Sequence, residues 1–427
     1  MARIAEPPIK SSPRRRGSSN SLNILGSRLR GNDKTILNQS FPGLTRCSTQ
    51  RGQILLGIVV ILAIVFGTLI YSFVSPASST IERDKITTAA LAQAKEALIG
   101  YAVNQTDQPG VLPCPDSDND GSADSPCGAI GVTAIGRLPW KTLGLPDLRD
   151  GSGECLWYAV SANFKNSGVS GPSIVNSDSV GTLVVNDGAG TPLPSPPNPA
   201  VAVVFGPGSV LSGQDRTPTI PVTVCGGNNS AANYLEGGNE SGGTTFVAAT
   251  SSVTFNDRLL PMSSADVITP VEQRAAAEII SLLKSYRSQS DVGLGCKCYP
   301  WADNTSDGIS DSNRANSRLP LLSASPDSWA SLGITVPAWL TNNQWWWPFF
   351  YTMSNTGSLR LNSVSGYDVS LITTGPAGTG RPKGSPGSWN DAWWSNYIED
   401  SNNYDLGTWF STPASTAYAR DRIYTIP

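Results

Sequence analysis

The sequence predicts an α+β protein in which an N-terminal transmembrane helix continues into a second helix packed on antiparallel sheet, with the helix-plus-sheet unit duplicated. Three observations predict this fold. An uncharged apolar run near the N-terminus is long enough to cross a bilayer. The 42 glycines and 32 prolines among 427 residues are typical of short strands joined by many turns. Several dissimilar motifs also recur in the same order in two halves of the chain.

Residues 1–52 form a basic leader. It holds ten Lys or Arg against two acidic residues, a net charge of +8, whereas the remaining chain carries −11. This asymmetry is typical of a topology signal in which the N-terminus stays inside the cell. The acidic remainder would repel phosphate, so nucleic acid is not an expected partner. The leader has few apolar residues, so we expect it to be disordered or to lie upstream of the true start.

The apolar run extends from Ile54 to Val74 without a charged residue. A run of this length spans a bilayer, so we expect a transmembrane helix over 53–76 in contact with membrane lipid. The predicted location is the bacterial inner membrane, single-pass, with the C-terminal bulk periplasmic or extracellular. A cleaved secretory signal peptide and an ordinary signal anchor are the alternatives.

The run is preceded by Arg51-Gly52-Gln53-Ile54-Leu55-Leu56-Gly57, which resembles the type IV prepilin signal. The resemblance implies cleavage between Gly52 and Gln53 by a prepilin peptidase, methylation of the new N-terminus, and retention of the apolar helix. Two positions depart from the family pattern, because Gln53 replaces the usual Phe and Gly57 replaces the usual Glu. In the family that Glu pairs with a neighbouring N-terminus, so its absence suggests a minor or tip subunit.

A second helix is predicted over 79–104, after Pro76 interrupts the first. Its apolar face carries Ile86, Ala90, Ala94, Leu98 and Tyr101. The runs that follow are Leu112-Pro113-Cys114-Pro115-Asp116 and Gly136-Arg137-Leu138-Pro139-Trp140. Residues 51–262 thereby resemble bacterial pilin-like proteins, the pseudopilins and minor pilins of type II secretion systems and type IV pili. The resemblance implies a long helix packed on antiparallel sheet.

Two copies of a module are indicated by repeated motifs. Asp116 with Asp120-Gly121, Arg137-Leu138-Pro139 and Asn233-Tyr234-Leu235-Glu236 recur as Asp303 with Asp307-Gly308, Arg318-Leu319-Pro320 and Asn396-Tyr397-Ile398-Glu399. We therefore predict a first pilin-like module over 77–265 and a second, divergent copy over 266–427. The alternative is that Pro/Gly turns simply recur.

A calcium site is one interpretation of Asp116, Asp118 and Asp120, because alternating carboxylates before a glycine resemble the first half of a calcium loop. The twelfth position of such a loop would be Cys127 instead of Glu, so the complete motif is absent. Asp124 or backbone carbonyls could supply the missing oxygens. The alternative is a loop of Asx-turns that binds no metal.

Seven cysteines divide into Cys47 before the apolar run and six after it. An even number on the far side suits disulfides in an oxidising compartment, with zinc binding as the alternative. We expect Cys114 to pair with Cys127 across the acidic loop. Cys296 and Cys298 are only two positions apart, so we expect each to pair elsewhere.

The chain contains no histidine, the side chain most used for proton transfer near neutral pH. We assign no catalytic residues and expect a protein that is not an enzyme. The aromatic runs 345–351 and 393–394 are interpreted as core strands, with an adhesive or glycan-stacking surface as the alternative.

The sequence therefore predicts a structural pilin-like subunit that is anchored in the inner membrane. It would assemble into a type II secretion or type IV pilus-like fibre. The resemblance implies other pilin-like subunits, the prepilin peptidase and an inner-membrane assembly platform as partners. The alternative is a membrane-tethered adhesin or glycan-binding protein that does not polymerise.

Overall fold

The computed structural model describes residues 50–73, 76–129, 131–165, 174–193, 199–219, 223–293, 296–303, 305, 307–311, 315–322, 329–354, 358–373, 398, 409–410 and 422–427. Within these ranges the side chains of 50–54, 69–73, 76–78, 292–293 and 409–410 are outside the description. The chain divides into two compact units, Met1–Ile70 and Tyr71–Pro427.

The first helix, α1, covers Gln50–Phe73. A membrane span needs roughly 20 consecutive apolar residues. Within the described part of the chain, no helix combines the length and the apolarity that crossing a membrane requires. The transmembrane helix predicted over 53–76 is therefore wrong, and so is the predicted single-pass location in the inner membrane.

The first module consists of a long helix and two sheets. Its elements are α2 Pro76–Asn104, β1 Ala134–Arg137, β2 Trp157–Val160, β3 Val184–Asp187, β4 Ala200–Gly206, β5 Thr245–Ala248 and β6 Arg258–Ser263. The main sheet has the order β1-β2-β4-β6 and is antiparallel throughout, while β3 and β5 form a separate parallel pair. Two short 3-10 helices, Ala231–Asn233 and Asn239–Ser241, precede β5.

The helix α2 packs one face on this sheet. Its buried side chains recur every three or four residues, as expected for one face of a helix: Ala90, Leu91, Ala94, Leu98 and Ala102. They join Leu156, Tyr158 and Val204 of the sheet in one core. The opposite face of the sheet forms a second core, in which Phe205 meets Phe246 edge to face at 5.2 Å.

The second module repeats this construction. Its elements are α3 Ser264–Gly293, β7 Asn316–Arg318, α4 Ala338–Asn342, β8 Phe349–Met353, β9 Leu359–Leu361, β10 Val364–Tyr367, β11 Val369–Thr373, β12 Trp409–Phe410 and β13 Arg422–Ile426. A 3-10 helix, Trp329–Leu332, lies between β7 and α4. The main sheet, β7-β8-β11-β13, is antiparallel, and β10-β9-β12 form a small sheet beside it.

The two main sheets therefore have the same strand sequence and the same antiparallel pairing. Equivalent side chains also make the same hydrogen bonds. The Tyr158 hydroxyl donates to the Pro113 carbonyl at 3.2 Å, and the Tyr351 hydroxyl donates to the Pro300 carbonyl at 3.0 Å. These shared features confirm the sheet repeat that the motifs predicted.

The modules join without a connecting loop, because β6 ends at Ser263 and α3 begins at Ser264. The Ser263 hydroxyl accepts the Asp266 N–H at 3.2 Å, and the Asp266 carboxylate accepts the Ser263 N–H at 2.7 Å. This reciprocal pair satisfies two N–H groups that the start of a helix leaves free.

Three disulfides lie among the described residues. Cys114 is bonded to Cys127, as predicted, and Cys155 is bonded to Cys225. Cys296 is bonded to Cys298, so the expectation that each would pair elsewhere is wrong. Their Cα atoms are 5.3 Å apart, which is within the range that a disulfide bridges, even at this short separation in sequence. Cys47 lies outside the described residues.

Candidate functional site

The acidic loop of the first module is organised around Asp116, whose side chain is 1% exposed. Its backbone pairs with Arg137 at the end of β1 through two hydrogen bonds of 2.9 and 2.8 Å. The carboxylate accepts the Asn119 N–H at 2.6 Å and the Gly121 N–H at 2.7 Å. Asp116 therefore holds the turn that follows it.

Gly121 is required in this turn for two reasons. Its φ is +88°, a conformation that favours glycine, and a β-carbon there would lie 2.9 Å from the Trp140 ring. Asn119 also has positive φ, 62°, which asparagine tolerates better than most residues. The loop is thus shaped by its own backbone and by the Asp116 carboxylate.

Burial raises the pKa of Asp116 to about 6, although hydrogen bonds from the Gly121, Asn119 and Asp120 N–H groups act in the opposite direction. Asp116 accordingly takes up a proton more readily than an exposed aspartate. Any cation that needs this carboxylate ionised would bind less well below about pH 6.

Asp118 and Asp120 lie on the exposed side of the loop. One carboxylate oxygen from each of Asp116, Asp118 and Asp120 can be chosen so that all three lie within 4.8 Å of one another. Such hard oxygen ligands are those that Ca²⁺ uses. However, Asp118 and Asp120 also accept backbone N–H groups, from Asp120 at 3.2 Å and from Ser122 at 2.6 Å. The geometry thus serves either a calcium loop or Asx-turns, and calcium stays a prediction.

The suggested supplementary ligand Asp124 accepts the Ser117 N–H at 2.8 Å, and Cys127 is bonded to Cys114. A second group, Asp147, Cys155 and Cys225, also brings ligand atoms together. Its two sulfur atoms form a disulfide, so they offer no thiolate to zinc.

Calcium binding predicts a rise in Tm when millimolar CaCl₂ is added at pH 7.5. A ligand at a hundred times its Kd stabilises the folded state by about 2.7 kcal/mol. The Asp118→Asn variant should lose this rise, whereas Asp178→Asn, outside the loop, should keep it. An unchanged Tm in the parent protein would contradict calcium binding and favour the interpretation of the loop as Asx-turns.

Arg137 also lies in this region, but the motifs did not predict it as a site residue. Its side chain is buried, with the guanidinium carbon 4.4 Å from the Tyr234 ring centre and 5.0 Å from that of Trp157. One Nη donates to the Asn228 carbonyl at 2.9 Å. A cation between two aromatic rings is stabilised by their π faces and can be buried without a direct carboxylate partner.

The second module repeats the arrangement with Asp303 and Arg318. Their backbones form the same two-bond pair, and Asp303 accepts the Gly308 N–H at 2.7 Å. The Arg318 guanidinium carbon lies 4.2 Å from the Trp347 ring centre and 4.0 Å from that of Phe350. A conformation preserved in both copies of the module indicates a structural role for each Asp and Arg pair.

A pair of acidic residues, buried Asp257 and half-buried Glu236, was also missed by motif analysis. Asp257 accepts the Glu236 N–H at 2.9 Å and an Asn239 side-chain N–H at 2.9 Å. Burial, with a smaller contribution from the nearby Glu236 charge, raises the pKa of Asp257 to about 8, although hydrogen bonds from Glu236 and Asn239 act in the opposite direction. Glu236 belongs to a repeated motif, but that motif gave no sign that it meets Asp257.

The aromatic run at 345–351 is buried, as predicted, but only Phe349, Phe350 and Tyr351 lie in a strand, β8, while Trp345, Trp346 and Trp347 lie in the turn before it. They pack with Tyr286 and Leu283 of α3. Residues 393–394 lie outside the described residues. The predicted processing residues, Gly52 and Gln53, lie in the first turns of α1.

The acidic loop around Asp116 can hold a proton or a hard cation, and the buried arginines and tryptophans are used in packing.

Comparisons with known protein families, with characterised proteins and with solved structures gave no match. No ligand or activity is therefore assigned by similarity.

Proposed function

We propose that this chain is a structural, non-enzymatic subunit that assembles with other pilin-like subunits into a fibre of the type II secretion or type IV pilus kind. The observation that carries the proposal is the exposed apolar surface of α1. Its ten large apolar side chains between 55 and 66 are each 46–69% exposed. They are Leu55, Leu56, Ile58, Val59, Val60, Ile61, Leu62, Ile64, Val65 and Phe66.

An exposed apolar surface of this extent is a recognised mark of an interaction site. The apolar residues of α1 surround the helix instead of forming one stripe, so a single neighbouring helix could cover only part of them. Packing among several subunits would cover the whole surface. A repeating assembly therefore fits α1 better than a simple dimer does.

The lack of histidine supports a structural role, since general acid-base chemistry near neutral pH most often uses that residue. The buried tryptophans argue against the glycan-binding alternative, because Trp345 to Trp347 present no ring to a sugar. Within this proposal a prepilin peptidase cleaves between Gly52 and Gln53, and an assembly platform acts on the mature subunit.

The assembly predicts that Ile61→Asp weakens self-association of the purified full chain at least about tenfold, because a buried charge in a helix interface costs more than 1.4 kcal/mol. Sedimentation velocity and electron microscopy measure the effect. The control is Val253→Asp, at a valine that is 86% exposed and lies outside α1. A parent protein that stays monomeric at every concentration tested would contradict the proposal.

A further inference from the structure

The long helices of the two modules correspond residue by residue. Leu98 and Leu283 are both buried, and they are 185 positions apart. The same offset relates buried Ala90 to Ala275, Leu91 to Ala276 and Ala94 to Ile279. The offset therefore identifies the counterpart on α2 of each residue of α3 from Ser264 to Gln289.

The two helices differ in their first turns. Val267 and Ile268 of α3 are buried in the core of the first module. Their counterparts on α2 are the exposed Glu82 and Arg83. Nearby, Ile81 is 68% exposed and Ile86 is 44% exposed. The first module thus covers the start of α3. In the equivalent turns of α2 the side chains of Ile81, Glu82 and Arg83 are exposed, although Asp84 pairs with Arg258 at 3.2 Å and the Arg83 backbone packs on Gly151.

Within the chain, α3 packs on α2 in a parallel direction. Lys95 forms an ion pair with Asp266 at 2.9 Å, and Arg274 donates to the Val103 carbonyl. From the first contact to the second, the position advances by eight residues on each helix, so the two helices are parallel. The counterpart of Asp266 is Ile81, which lies 14 residues before Lys95. At 1.5 Å per residue, α3 is displaced along α2 by about 21 Å.

The same displacement can be applied once more, from α3 to the α2 of another molecule. The counterparts of Asp266 and Lys95 in that contact are Ile81 and Ile280. In the contact between molecules, two isoleucines thus stand at the positions equivalent to the Lys95 and Asp266 ion pair. Both members of the pair change together from charged to apolar.

The middle of α3 presents an accessible stripe for this contact. Ala277, Ser281, Lys284 and Ser288 are exposed at helical spacing, and Ile280 beside them is half-buried. The residues that follow Ile81 on α2 are Glu82, Arg83, Asp84 and Lys85, whose charges cancel. Small side chains on one helix and balanced charges on the other allow close approach.

The first turns of α2 also border a groove of about 420 Å³. Asp84, Thr88 and Leu91 line it from the helix, and the edge strand β6 lines the other side. The groove leaves space beside α2 for side chains of a neighbouring molecule.

We propose that a second copy of this chain places the first three turns of its α2 along the middle of α3, with Ile81 of one molecule against Ile280 of the next. The contact is head-to-tail, since the two surfaces differ, and it forms an open series when the rotation between neighbours does not close a ring. The proposal rests on the proposed function and deepens it, by naming the surface through which the modules of successive subunits meet.

A charge exchange in the full chain tests this contact. Ile81→Asp and Ile280→Lys should each weaken self-association about tenfold in sedimentation velocity. The double variant recreates the Asp266 and Lys95 pair between molecules and should recover most of the loss. The matched control is Gln93→Asp, an exposed residue further along α2. Unchanged Tm values would show that each variant is folded.

Photo-crosslinking identifies the partner surface. Ile81→benzoylphenylalanine should give intermolecular products joined to peptides around Ile280, and the same group at Gln93 should not. Assembly that persists in Ile81→Asp with crosslinks elsewhere would overturn this contact alone, provided that Ile61→Asp still prevents assembly. A parent protein that never associates would overturn both this contact and the proposed function.

Discussion

Replacing Arg137 by alanine is expected to lower the free energy of unfolding by about 3–5 kcal/mol. The substitution removes a buried guanidinium from between the rings of Trp157 and Tyr234 and leaves a cavity. It also removes a positive charge whose field acts on Asp116, while that carboxylate stays buried. Both losses act in the same direction.

Urea or thermal unfolding with the disulfides intact measures the effect. The control is Arg149→Ala, because Arg149 is partly exposed, forms a salt bridge with the neighbouring Asp147 at 2.6 Å and donates to the nearby Gly153 carbonyl at 2.9 Å. Surface changes of that kind usually stay within about 0.5 kcal/mol. If Arg137→Ala were as mild as the control, the stacked arginine would not be a main stabilising element. Arg318→Ala should repeat the loss in the second module.

The second large effect concerns pH. The pKa of Asp257 is raised to about 8 in the folded protein, chiefly by burial, from 3.8 for the unperturbed side chain. The folded state then holds a proton that the unfolded state releases above about pH 4. The resulting stability is fully present at low pH and is lost as the pH rises towards 8. Each pH unit in this window costs up to about 1.4 kcal/mol.

Asp257→Asn should remove this dependence, since an amide stays neutral and can still accept the Glu236 and Asn239 N–H groups. We expect the variant to match the parent near pH 4 and to be several kcal/mol more stable near pH 8.5. Unfolding free energies across pH 4–9 test this. Hydrogen bonds from Thr217 lower the pKa of exposed Asp215, so Asp215→Asn should give no alkaline gain. A parent curve that runs parallel to that of Asp257→Asn would contradict the raised pKa of Asp257.

Much of the repeat could be predicted because it depends on local turn chemistry. In each module the Asp-x-x-x-Asp-Gly motif forms the acidic turn. The Arg of the Arg-Leu-Pro motif is the last residue of the first strand of the main sheet. The apolar run did indicate a helix, and α1 covers it. The predicted membrane span was wrong, because no helix among the described residues is both long and apolar enough to cross a membrane.

The candidate site was less accessible to sequence reasoning. Spacing identified Asp116, Asp118 and Asp120, but it could not show that Asp116 is buried and occupied by its own loop. Glu236 and Asp257 are 21 positions apart and meet only because β6 and the segment before β5 pack together. The Cys296 pairing depends on the local path of the chain, which a rule on separation did not capture.

The direct junction between Ser263 and Ser264 determines how the molecule would carry mechanical load. With no slack between the last strand of one sheet and the helix of the next module, tension along the backbone passes at once from β6 into α3. Detaching α3 would strip Val267 and Ile268 from the first module, so one half cannot yield without weakening the other. From α2 onward the protein is therefore expected to unfold under tension as one cooperative unit, with a single rupture force in a stretching experiment.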